Sequence, residues 1–182
     1  YKLAAETGRY SPRTEFCELF LNAEYMGVYS LIEVIKKDEN RVDVNTMSIF
    51  DDQEPFISGG YIFKRDRGEE LINTESGVPL VPVYPDEDEI TIEQINWIEN
   101  YLNDAENALF TSLYLFQDFA DIISFSDNFL MVEAFKNIDG YRLSTFFYKD
   151  RYGKIVAAPV WDYNLSAGNA DYLSGGIPEG WY

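Results

Sequence analysis

The sequence predicts an α+β fold, and three stretches carry that prediction. Residues 14–35 alternate across a polar break, as an antiparallel strand pair does. Residues 91–109 set apolar side chains at helical spacing behind a capping sequence. Residues 144–160 hold two short aromatic and aliphatic runs joined by a tight turn. At 182 residues the chain can bury a sizeable core, as one domain with room for two lobes.

In chain order, residues 2–7 read as the last turns of a helix that ends at Gly8. TEFCELFLN (14–22) and VYSLIEVI (28–35) form the first hairpin, with AEYMG as its turn. Cys17, inside an apolar run, is expected to be a buried, inert thiol. Residues 36–60 are loop-rich, and Gly59-Gly60 reads as a turn because its spacing is not that of a phosphate loop. A short strand is expected at 61–64, followed by a charged turn. VPLVPVYPDEDE (78–89), with three prolines, is expected to be an extended surface connection. Thr91 and Gln94 make a capping box for a helix that presents Ile92, Ile95, Ile98, Tyr101, Leu102, Ala105 and Leu109. The acids before it favour its N-terminal dipole, so they need no bound cation to explain them. A second helix is expected over about 111–124, and a third over 126–137 with Ser126 or Asp127 as cap.

Composition removes many functions. A formal charge of −18 repels nucleic-acid phosphates and anionic lipid, so neither is an expected partner. No apolar run reaches the roughly 18 residues that cross a bilayer, and YKLAAETGRY has no signal-peptide core. Any export signal is expected to have been removed or to lie outside these residues. One Cys and no His exclude an internal disulfide, a zinc cluster and every His-dependent nucleophilic mechanism. Chemistry has to rest on carboxylates, Lys, Arg, hydroxyls and backbone groups.

The stretch KNIDGYRLSTFFYKDRYGKIVAAPVWDYN (136–164) concentrates that chemistry. If Lys149 faces Lys154, then Thr145 faces Ala158, Leu143 faces Val160, and Asp139 and Asp162 reach the same open end. Strand rise and spacing then allow their carboxylates to approach within roughly 5–9 Å, a span that one or two divalent cations bridge. The competing reading is ordinary: Asp-Gly is a turn dipeptide, and an Asp after a strand often caps a helix. A carboxylate-pair glycosidase would also suit the separation, but neither acid lies in an evident sugar cleft.

The segments NIDGYRLSTFFYKD…GKIVAAPVWDYNLSAGN, RTEFCELFLNAEYMGVYSLIEVI and SGGYIFKRD resemble the CotH family of spore-coat-type atypical protein kinases over essentially the whole chain. The resemblance implies a protein-kinase-like fold, with the end of a truncated N-terminal β lobe at 1–35 and most of a helical C-terminal lobe at 36–182. The catalytic loop and metal-aspartate hairpin would fall at 137–164. Asp139 takes the position of the catalytic aspartate, and Asp162 that of the metal aspartate, with Ser144 and Asn164 as weaker oxygen ligands. Both depart from the pattern, which has Asn at the first position and often a second acid at the other. Glu33, Val34 and Ile35 would border adenine, and Trp161 either stacks on the base or packs as a core aromatic. The upstream phosphate-contacting lysine would precede residue 1. Lys64 or Arg142 could replace it, unless Lys64 is a solvated edge charge and Arg142 only braces Asp139 or Asp162. The implied cofactors are ATP and magnesium, with manganese or calcium as alternative dications. The implied partner is an acceptor protein outside the cell or at the cell or spore surface, and the implied activity is phosphorylation of a Ser/Thr hydroxyl. A non-catalytic surface or scaffold module on the same fold is the other reading.

Overall fold

The computed structural model describes residues 1–182. A one-turn helix, α1 (Lys2–Ala5), leads through a turn at Gly8 into a two-stranded ribbon of β1 (Thr14–Leu21) and β2 (Glu24–Ile32). Asn22 and Ala23 take φ of 50° and 66°, the left-handed pair that a two-residue hairpin turn requires. The turn therefore comes earlier than 23–27. Glu24–Gly27 join β2 instead, and Met26 is left unpaired where the register shifts between Leu19 and Phe20. The ribbon is not covered on either face, so the apolar run did not mean burial. Phe16 is 84% exposed, and Cys17 is exposed rather than buried.

The rest of the chain is built on a five-stranded antiparallel sheet in the order β4-β5-β3-β6-β7. Its strands are β3 (Tyr61–Arg65), β4 (Ile72–Asn73), β5 (Pro79–Tyr84), β6 (Thr145–Lys149) and β7 (Ile155–Ala157). β5 corrects the expectation of a surface connection, since Leu80 and Val81 are buried in it. Its prolines are accommodated at permitted places. Pro79 opens the strand, and Pro82 sits beside the register shift where Val83 bulges between Ile62 and Phe63.

The capping box forms as expected: Gln94 N–H donates to Thr91 Oγ1 (3.3 Å) and Thr91 N–H to Gln94 Oε1 (3.1 Å). It starts α2 (Ile92–Thr111), which buries Ile98, Leu102 and Ala105. Ser112 is extended and breaks the next helical stretch, leaving only the one-turn α3 (Leu113–Phe116). The cap of α4 (Ile122–Phe135) is Asp121, whose carboxylate accepts from Ser124 N–H at 3.1 Å. Ser126 and Asp127 lie inside the helix, with Asp127 paired to Arg9.

Strand alternation divides the core between the two sheet faces. Tyr61, Phe63 and Ile155 pack with Ile98, Leu102 and Ala105 of α2. On the other face Ile62 and Phe146 pack with Ile35, Val42 and Val44, and Trp161 closes over them. No helix is long and apolar enough to cross a membrane.

Candidate active site

The loop joining α4 to β6 is held rigidly from below. Asn137 is 2% exposed, and its side chain accepts from Asp139 N–H at 3.4 Å. Gly140 lies so close to α4 that a Cβ there would come within 2.6 Å of a Val132 methyl. Asp139 C=O receives N–H bonds from Arg142 (3.2 Å) and Leu143 (2.8 Å), which coils the loop around the aspartate. The Asp139 carboxylate is thereby held at the loop's edge. Arg142 Nη2 donates to its Oδ1 at 2.6 Å, while Arg142 Nε is anchored on Ile138 C=O at 3.2 Å.

The second acidic loop follows β7. Here the register is Phe147↔Ala157, Tyr148↔Val156 and Lys149↔Ile155, one residue away from a Lys149–Lys154 pair. Lys154 leaves the ladder because its ammonium reaches Gln117 C=O, and Ile155 N–H is bound by Phe119 C=O. Pairing also stops at Ala157, so Thr145 does not face Ala158, nor Leu143 Val160; Pro159, beyond it, has no N–H to extend the ladder. Asp162 still returns to the Asp139 end. It adopts a left-handed backbone (φ 52°, ψ 59°), tolerated by Asp more than by most residues, and its N–H donates to Tyr1 Oη at 3.0 Å.

The charge of Asp139 is felt at Asp162. Burial first, then the charge of Asp139, then that of Asp66, push the Asp162 carboxyl above the ordinary carboxylate range. Asp66 was missed in the sequence reading. It is the first residue after β3, just past the Arg65↔Thr145 pair. The signal was present in KRD, an acid at the end of a predicted strand two residues after Lys64. Lys64 pairs with it at 3.5 Å and lies 5.8 Å over the Phe146 ring. Since β3 is the central strand, Lys64 is no edge charge.

The remaining candidates divide. Ser144, half-buried with φ 52°, borders the same small crevice as Asn137 and Trp161. Asn164 is exposed in the turn after Asp162. Trp161 packs edge-on against Phe146 (6.1 Å, 67°), which favours its core role. Ile35 shares that apolar cluster, so the segment after β2 does reach the site's face of the sheet. Glu33, however, is engaged away from it by Arg13 and Arg41, and its carboxyl is held down to about 2, chiefly by the Arg13 hydrogen bond. Val34 C=O accepts from Arg41 Nη1 at 2.8 Å, and its side chain is exposed. Gly59 and Gly60 belong to the opposite end of β6. Their missing Cβ atoms let the chain pass against Arg151 and Asn45, so they are close-approach glycines.

No three carboxylates are gathered closely enough to enclose a metal ion by themselves. The structure is a mixed α/β protein with two antiparallel sheets, and it carries Asp139 and Asp162 on the two loops flanking β6 and β7. The family model for CotH kinase protein matches residues 1–180, and the chain belongs to that family. No curated protein matches it.

Proposed function

We propose that the protein is an atypical, kinase-like phosphotransferase that moves the ATP γ-phosphoryl group to a Ser/Thr hydroxyl of an acceptor protein at the spore or cell surface. The observation that carries this reading is that Asp139 and Asp162 lie on the two loops at one end of the β6–β7 ribbon, close enough for the charge of the first to raise the carboxyl of the second. Family membership supports it.

The donor chemistry fits magnesium. Asp162 has a carboxylate whose charge is disfavoured by its surroundings, Asn164 and Ser144 add neutral oxygens, and Asp66 adds a further acid nearby. In this reading a dication held by Asp162 and Asn164 would neutralise phosphate charge when bound. Asp139 orients the acceptor hydroxyl and takes its proton. Arg142 keeps the Asp139 carboxylate fixed, so the acid does not have to find its geometry as the acceptor arrives. Lys64, on the same face, is the cation available to a phosphate, and to reach one it must give up Asp66. Trp161, half-buried over the Ile35 cluster, is the aromatic nearest the site that a base could reach at its remaining exposed edge.

A second reading, a non-catalytic surface module, is favoured by one observation: the Asp139 carboxylate is already paired with Arg142. Thermal-shift titration with magnesium and ATP, on wild type and Asp162→Ala, separates the readings together with an autophosphorylation assay. The kinase reading requires a magnesium-dependent shift with ATP, and phosphate incorporation, both lost in Asp162→Ala. Nucleotide binding without transfer to any acceptor supports the module. No response from either protein removes the nucleotide-binding premise.

A further inference from the structure

On the α2 side of the sheet lies a cavity of about 230 Å³, reaching the Asp139 loop only at Tyr141, that the proposed reaction does not use. Eleven of its fourteen lining residues are hydrophobic, with Leu102 and Ala105 of α2 facing Phe63 and Phe147 of the sheet. Seven lining residues retain contact with solvent, and four of them, Arg65, Glu106, Leu109 and Tyr141, include the only charged side chains of the lining and its two most exposed residues. Arg65 is the only cation among the fourteen. It has no carboxylate partner, and its Nη1 donates to Tyr141 C=O at 3.1 Å. Glu106, the only acid, is engaged by the Thr74 hydroxyl at 3.0 Å.

We propose that this cavity binds a single-chain amphiphile with a terminal carboxylate, of the medium-chain fatty-acid class. Apolar walls with one free polar group at the mouth are the usual composition of such a site. An apolar cavity of about 150 Å³ accepts benzene, so this one holds roughly nine carbons. Strand alternation explains why the head is recognised here. Arg65 follows Phe63 onto the α2 face, whereas Lys64 is sent to the other, so one guanidinium stands at the end of an apolar slot. In a chain of net charge −18, that guanidinium is what makes an anionic head preferable to a neutral one. A bound carboxylate would compete with Tyr141 C=O for Arg65.

Decanoate and decanol, both below their aggregation limits, serve as probes in calorimetric titration and thermal shift. Decanoate is expected to bind at least about tenfold more tightly than decanol to wild type, the scale of one charge-assisted hydrogen bond. Arg65→Met is expected to remove that preference while leaving decanol binding in place, and Ala105→Phe to block both probes by filling the slot. Because Arg65 is only half-buried, its variant decides the matter even where Ala105→Phe fails to fold. Equal binding of the two probes to wild type, binding of neither, or a decanoate preference that survives Arg65→Met overturns the proposal. None of these outcomes bears on phosphoryl transfer.

Discussion

Lys149 offers a test that needs no ligand. The residue is 2% exposed, and its ammonium lies 5.3 Å from the Trp97 ring and 4.8 Å from that of Tyr101. It donates to Ser58 C=O (2.7 Å) and Asp150 C=O (2.8 Å). Burial lowers its pKa from the ordinary 10.5 to about 8. Between those values the unfolded chain holds a proton that the folded chain does not, so stability rises with pH across that window. Below about pH 8 the cost of burying the charge is fully present; above about pH 10.5 it is gone. At about 1.36 kcal/mol per pKa unit the whole interval corresponds to about 3 kcal/mol. The carbonyls and rings favour the ammonium, and residual solvent screens it, so about 1–2 kcal/mol is expected. The measurement is urea unfolding of wild type and Lys149→Met at about pH 7 and about pH 10.5. Methionine keeps the stem between the rings, and tyrosine ionisation and overall charge cancel in the comparison. Wild type must gain on the variant as the pH rises. A difference that stays flat, or shrinks, refutes the argument that burial governs this lysine.

Three further outcomes are expected. Asp162→Asn should raise the melting temperature of the ligand-free protein, because a carboxyl with a raised pKa loses stability as pH climbs through its folded value. The same variant should lose the magnesium–ATP shift, and a variant that melts lower than wild type at neutral pH contradicts the first half. Gly140→Ala forces a Cβ against two Val132 methyls and should cost about 1–3 kcal/mol in chemical denaturation, a loss that Val132→Ala in the same chain partly recovers. Arg142→Met leaves a half-buried Asp139 without its partner, and should lower stability by about 1–3 kcal/mol. Magnesium should restore part of that loss; the absence of any recovery would speak for a bracing role without a cation site.

Local chemistry made some of this legible in the sequence. The Thr91–Gln94 box formed bond for bond because a helix start is written within four residues. Asp139 and Asp162 came to the same end because a short hairpin leaves few alternatives, although the pairing itself was off by one residue. That error came from Lys154, which answers to Gln117, a partner 37 residues away that strand patterning does not reveal. Three other misses have the same origin. Asp121, not Ser126 or Asp127, caps α4 because the helix starts a turn earlier, where Arg9 from the far end of the chain ties both Asp121 and Asp127. Proline-rich β5 became a strand because its neighbours supply a bulge, and Cys17 is exposed because no layer covers its ribbon. Asp66 was legible in principle, but its significance depended on knowing that β3 pairs with β6.

The bare ribbon has a mechanical corollary. With both surfaces in water, β1 and β2 are stiffened mainly by their own ladder, so they behave as a lever more than as a wall. Its fulcrum is Glu33, clamped by one arginine from each side, and the short arm beyond is Ile35, seated under Trp161. A load applied at the Asn22–Ala23 tip is therefore delivered to the apolar floor beside Asp162. Whatever grips the tip has a handle on the Trp161 side of the molecule.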